Sequence, residues 1–353
     1  MARQSFYASL EILRGLCALE VFLSHCASRM RLSYVETSSA LTFIYESLYR
    51  GSAIAVIGFF VVSGFVTTLS FYAYLTRYPF RQAALVFYGA RVLRICAVAI
   101  PATVIPFLMV LAYRSITGDW RAWNIGGYND FSAAAVIQSA LGWSAEWNPA
   151  QWTLRYELVF YAALPFLFVA MFRRSMTGYL GLAYCVGVIA LMANQGALVP
   201  HILTPFLLGM AAFAVIGRVK VSALLLLPSV IGILLACAIG ERYGLLSYAS
   251  VAVGVLALAS NDERIPRVPA LLGLGACSYS LYLWHWPVLW MGTSFLLGSR
   301  SATSGAQILK VYAVTIPAVA LVTWLSWYFI ERHARMRNVL AHLGTRTTLP
   351  SAA

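Results

Sequence analysis

Few residues in this chain could do chemistry, and they sit in unlikely surroundings. Arg14 and His25 lie within the apolar run LRGLCALEVFLSHCAS. At about 100° per residue, eleven residues bring both onto one helix face, ~16 Å apart along the axis. A charge at a bilayer centre costs roughly 2.5–3.5 kcal/mol even on the gentler insertion scales. The stripe therefore has two readings. Arg14 snorkels to the headgroups while His25 is hydrogen-bonded among helices, or the pair forms a cationic mouth below a histidine able to move protons. Glu20 falls off the stripe and needs a partner of its own.

Other polar groups recur at membrane depth. Glu157, in WTLRYELVFY, lies about one turn inside an apolar run. An intramembrane carboxylate is a functional candidate by default. It either pairs with His25, fixing the imidazole tautomer, or is neutralised by Arg155. Ser278, Tyr282 and His285, in CSYSLYLWHWP, follow i, i+4, i+7 spacing and form one polar stripe, flanked by Trp284 and Trp286. Ser63-Gly64, in FFVVSGF, permits close approach of a backbone or a thin ligand. Arg91 and Arg94 lie one turn apart before an apolar run and, with Arg77 and Arg81, make a basic patch. Arginine forks suit phosphates. Glu331, in YFIERHAR, is placed at the same mouth, near Arg14 or Arg94.

The elements holding these residues are membrane helices. The 353-residue chain is 61% hydrophobic and only 10% charged, which excludes an ordinary soluble domain. Apolar runs long enough to span hydrocarbon fall at 9–29, 50–75, 95–113, 152–172, 177–193, 201–217, 222–239, 245–260, 270–297 and 310–330. These predict a polytopic all-α bundle of ten transmembrane helices. Their length excludes a β-barrel of short alternating strands. The six cysteines lie scattered in apolar segments without metal-like spacing and read as buried small hydrophobes. No metal site is expected. The first apolar run is broken by Arg14 and Glu20 and reads as a retained helix, not a cleaved signal.

The net charge of +13 reports topology, not nucleic acid. With a cytoplasmic N-terminus and 131–147 lying on the outer side without crossing, Arg77, Arg81, Arg91, Arg94, Arg173, Arg174, Arg218, Lys220, Arg264, Arg267, Arg332, Arg335 and Arg337 all fall inside. The inner loops then carry the excess, as the positive-inside rule requires. A crossing by 131–147 would reverse that bias, so it is placed as a re-entrant or surface helix. Both termini are expected in the cytoplasm, with a transmembrane domain over 1–335 and a short tail over 336–353. No internal repeat of the kind that marks many transporters is present.

Taken in order, Arg14-x10-His25, FFVVSGF, the Arg91/Arg94 pair, WTLRYELVFY, SYSLYLWHWP and the closing FIER resemble the acyltransferase-3 family of bacterial membrane O-acyltransferases. The resemblance covers roughly residues 6 to 335. It implies ten membrane helices, acyl-CoA as donor and no permanently bound cofactor. The implied acceptors are surface polysaccharides, lipid-linked glycans, nodulation factors or macrolides. It places the essential histidine on His25, its arginine partner on Arg14, and the CoA-binding arginines on Arg91 and Arg94. Two positions depart from the family pattern: Glu20 stands where an apolar residue is usual, and ARVLRI lacks an adjacent arginine pair.

The expected function is transfer of an acyl group, acetyl being the common case, to a glycan-type hydroxyl in a bacterial inner membrane. His25 is the expected base, with an acyl-histidine as the alternative route, and Glu157 assists it. Arg14, Arg91, Arg94 and Ser63 face the donor; Ser278, Tyr282, His285 and Trp152 face the acceptor. The competing class is a non-catalytic carrier or exporter of a glycan or lipid, which would use the same polar interior as a path.

Overall fold

A computed structural model describes residues 6–29, 39–118, 131–173, 198–216, 218, 221–239, 244–297 and 305–334. Within them the protein is all-helical: α1 (Ala8–Arg29), α2 (Ser39–Leu75), α3 (Phe80–Thr117), α4 (Ala133–Ala140), α5 (Leu154–Arg173), α6 (Leu198–Val215), α7 (Leu226–Ile239), α8 (Leu245–Ser260), α9 (Pro269–Ala276), α10 (Ser278–Leu297) and α11 (Gly305–Ser326). Among the described residues, four stretches are long and apolar enough to cross a membrane: Arg50–Leu75, Phe80–Ile116, Pro149–Phe172 and Ala306–Ala334. The expected span 177–193 and both termini lie outside the described residues.

Contacts between helices fix their directions. α1 and α2 are antiparallel, with Tyr7 edge-on to Phe65 at 5.2 Å and Glu20 against Gly51. α1 and α10 are parallel, since Arg14 meets Ser278 and His25 meets His285. α5 and α6 are also parallel, with Phe160 on Phe206 and Phe172 near Phe213. Arg173 and Leu198 therefore lie at opposite ends of the bundle. α10 and α11 are antiparallel, joined at Ser280–Ser326 and at Gly292–Thr315.

Small residues let backbones touch where lipid supplies no hydrophobic drive. A Cβ on Gly64 would collide with the Phe206 carbonyl, and one on Gly209 with that of Val61. Gly64 thus serves α2–α6 packing, the structural alternative for the Ser63-Gly64 pair. The aromatic core of Phe60, Phe65, Phe160, Phe206 and Phe213 surrounds this contact.

α2 and α3 begin at Ser39 and Phe80, ahead of the expected 50 and 95, and two further stretches differ in form. The stretch 270–297 is not one helix: α9 ends on Cys277 and α10 begins at Ser278. Gly273 and Gly275 just before the break weaken the helix locally. Segment 131–147 forms only the eight-residue α4, about 12 Å long. Ser132 caps its start and Gly142, with φ of 75°, turns the chain after it. Trp147, fully buried against Phe107 and Phe131, pins the segment to α3. As a helix it is too short to cross.

Candidate active site

The break between α9 and α10 builds the lower part of the site. Helix ends leave carbonyls and amides without partners, and Arg14 serves a carbonyl at the end of α9. Its guanidinium donates to the Gly275 carbonyl at 3.0 Å and to Ser278 Oγ at 3.0 and 3.1 Å, and pairs with Glu11 at 3.3 Å. A cation at the end of α9 also suits the helix dipole. Glu331 serves the start of α10 in the same way. Fully buried on a π-helical turn, Trp327–Glu331, it accepts from Ser280 N at 3.0 Å and Ser280 Oγ at 2.8 Å. It is therefore a buried helix cap, and its charge lies within Coulombic reach of Arg94.

Beside this junction is a cavity of about 70 Å³ lined by Arg14, Ser63, Arg91, Arg94, Glu157, Tyr161, Ser278, Tyr279 and Tyr282 among others. Three arginines and one carboxylate make it cationic. Arg91 and Arg94 do not sit in a loop before α3, because α3 begins at Phe80 and carries them inside its length. Arg77 and Arg81 are exposed and do not join them.

The two arginines differ. Arg91 is buried, donates to Ser70 Oγ at 2.7 Å, and lies 5.5 Å from the Phe87 ring centroid and 5.6 Å from that of Tyr161. Arg94, half-buried, makes no side-chain hydrogen bond or ion pair among the described residues. Its balancing charges, Glu157, Glu331 and Glu11, act at longer range.

Glu157 accepts from Ser63 Oγ at 3.0 Å, so both expected partners are replaced. Arg155 turns to the hydroxyl of Tyr156 at 2.7 Å, and His25 finds another histidine. Trp152 packs edge-on to Phe60 and Tyr156 and does not line the cavity.

Farther along α10 stands the second part of the site. His25 Nδ1 lies 2.7 Å from His285 Nε2, and the rings are within 9° of parallel. His285 Nδ1 lies 3.0 Å from the Leu281 carbonyl. His285 is fully buried and His25 half-buried. Phe22 and Tyr282 meet His285, and Trp286 meets His25 edge-on at 4.8 Å. The indole N–H of Trp286 is buried without a partner among the described residues. Tyr282 joins the two parts, lining the cavity with its ring centroid 5.9 Å from that of His285.

A model of the acyltransferase domain of the acyltransferase-3 family matches residues 7–330. The chain belongs to this family. No curated protein and no solved structure matches it. It is thus a membrane acyltransferase, and the cationic cavity and the histidine pair are its candidate machinery.

One buried residue sequence reasoning missed joins the two halves. Asn148, fully buried, donates through Nδ2 to the Leu283 carbonyl at 2.9 Å and the Ala102 carbonyl at 3.2 Å. These are the carbonyls four residues before Pro287 and Pro106, which have no N–H to offer them. Asn148 thereby fastens α3, which carries the arginines, to α10, which carries His285. The sequence shows Asn148, Pro106 and Pro287, but not that the three meet.

Proposed function

We propose that this acyltransferase moves an acyl group, acetyl in the simplest case, from acyl-CoA to a hydroxyl of a glycan-type acceptor, with His25 as general base. The observation that supports this reading most is the alignment of two chemistries along α10. Cationic groups for phosphates surround Ser278, and a histidine pair lies seven residues later, ~10 Å along the axis. The phosphates of CoA sit on Arg94, with Arg91 and Arg14 adding positive charge beside it and the Ser63 hydroxyl alongside. The acyl-pantetheine arm passes Tyr282 toward His25. The narrow cavity opens as it enters.

His25 takes the proton of the acceptor hydroxyl as that oxygen attacks the thioester carbonyl. The tetrahedral intermediate collapses, the C–S bond breaks, and the departing CoA thiolate recovers the proton from the imidazolium. The acceptor reaches the half-buried side of His25, opposite the donor. No metal takes part.

The reading includes the bacterial inner membrane, ten crossings and both termini in the cytoplasm. The short α4 and the parallel course of α5 and α6 support that path. Transfer of label from radioactive acetyl-CoA by the purified protein is the test, using octyl glucoside as hydroxyl acceptor. The wild type should transfer and His25→Ala should lose about 10²–10⁴-fold. Undiminished turnover by a folded His25→Ala protein would refute the reading.

A further inference from the structure

We infer that His285 is a positioning residue that holds His25 in the tautomer whose Nε2 carries the lone pair. The inference rests on the reading of His25 as the base, and follows from two short contacts. A carbonyl oxygen can only accept, so the 3.0 Å contact with the Leu281 oxygen puts a proton on His285 Nδ1. A neutral imidazole carries one N–H, so His285 Nε2 is then an acceptor. The 2.7 Å contact to that atom in turn requires a proton on His25 Nδ1. The lone pair of neutral His25 is left on Nε2. A backbone carbonyl of α10 thus sets the tautomer of a side chain on α1 through one intervening ring.

The surroundings hold this chain in place. His285 is fully buried, with Phe22 and Tyr282 against its ring. Leu281 and Leu289, one turn to either side on α10, pack with Ala18, Phe22 and Cys26 of α1. The ring centroids lie 5.0 Å apart with planes 9° from parallel, so with the facing nitrogens at 2.7 Å the rings lie nearly end to end and the N–H points at the acceptor nitrogen, as a linear hydrogen bond requires. When His25 takes a proton on Nε2, its Nδ1–H becomes a charge-assisted donor to His285, so the contact strengthens as the reaction proceeds. The proton on Nδ1 is not transferred. His285 touches neither acyl group nor acceptor in this scheme, and its role passes entirely through His25.

Two amide substitutions separate this role from packing. In His285→Gln the side-chain amide reaches the former position of Nε2 and offers an oxygen to His25. In His285→Asn the amide falls near the former Nδ1, keeping a donor for Leu281 but offering His25 no acceptor. The full-length protein, labelled with ¹⁵N-histidine, reports the tautomer by NMR, the His25 signals being those lost in His25→Ala. The expected result is His25 protonated on Nδ1 in the wild type and His285→Gln, but no longer so in His285→Asn. With acetyl-CoA and octyl glucoside, His285→Asn should lower kcat roughly 10–100-fold, the worth of one hydrogen bond to a group that gains charge. His285→Gln should recover most of it, and the KM for acetyl-CoA should not move. A wild-type His25 protonated on Nε2, or one unchanged in His285→Asn, would overturn the inference. Full turnover in His25→Ala would instead reject the base itself and leave the tautomer result standing.

Discussion

Asn148→Ala should loosen the site without touching a reacting group. The substitution removes two donated bonds, to Leu283 and Ala102, and the bond that Asn148 Oδ1 accepts from Ala150 N at 3.1 Å. Double-mutant cycles within membranes give about 0.6 kcal/mol for an average side-chain hydrogen bond and about 1.7 at most. Three such bonds total about 2–5 kcal/mol. The upper half of that range is expected, because both carbonyls are left buried and proline denies them the usual helical partner. The thermal midpoint in detergent should fall clearly. At low temperature, turnover per folded molecule should also fall, since the arginines and His285 lie on the two helices that Asn148 joins.

The sharper test is a second substitution. Pro287→Ala restores an N–H that can bond the Leu283 carbonyl within α10. Alone it should destabilise, by loss of packing and of the shape that proline imposes. Added to Asn148→Ala it should cost less than in the wild type, by about 1 kcal/mol of coupling. Strictly additive midpoints would show that the Leu283 carbonyl does not depend on Asn148. An Asn148→Ala protein as stable as the wild type would refute the whole account.

Arg94→Ala should raise the KM for acetyl-CoA about 10–100-fold, the worth of a charge-assisted bond. Arg91→Ala should chiefly lower the thermal midpoint, because that guanidinium is already held by Ser70 and two rings; equal effects of the two on KM would contradict the division. Glu157→Gln keeps the bond with Ser63 but removes the carboxylate from the cationic cavity. Its KM for acetyl-CoA should fall about fivefold, on the order of 1 kcal/mol of relieved repulsion, whereas a fall in kcat alone would return Glu157 to the chemistry. Trp286→Phe keeps the ring beside His25 and deletes its unpartnered N–H. If that donor meets the thioester oxygen as charge develops there, kcat should drop tenfold or more while stability holds or rises; unchanged kcat would dismiss it.

The sequence was informative where periodicity governs. Most helix positions followed from the lengths of apolar runs, and the eight-residue α4 is in keeping with the non-crossing course that charge bias gave 131–147. The shared face of Arg14 and His25 and the stripe of Ser278, Tyr282 and His285 followed from 3.6-residue geometry. Spacing on one helix cannot show which residue of a second helix will meet it. Glu157 was at suitable depth for His25, but the packing of α1 against α10 brings His285 to it instead. Arg14 was legible as a cation on the stripe. Its actual duty depends on a helix break at Cys277 that two glycines only suggest.

The same limit explains why Asn148 stayed hidden, and what its position means. Proline in a membrane helix always leaves a carbonyl to be satisfied. The sequence shows Pro106 and Pro287, but not that their orphaned carbonyls face each other across one gap. One amide nitrogen with two hydrogens answers both. The prolines thereby turn from local defects into the joint between α3 and α10. The arginines lie on α3 before that joint, and His285 lies on α10 between Leu283 and Pro287. A helix without proline would present no free carbonyl there, and α3 and α10 would keep fewer polar ties, such as the bond from the Tyr279 hydroxyl to the Ile95 carbonyl at 3.1 Å. Apolar contact in a bilayer lacks the hydrophobic drive that fixes helices in water. Alignment of the cationic cavity with the histidine pair therefore draws on polar contacts that take no part in the transfer.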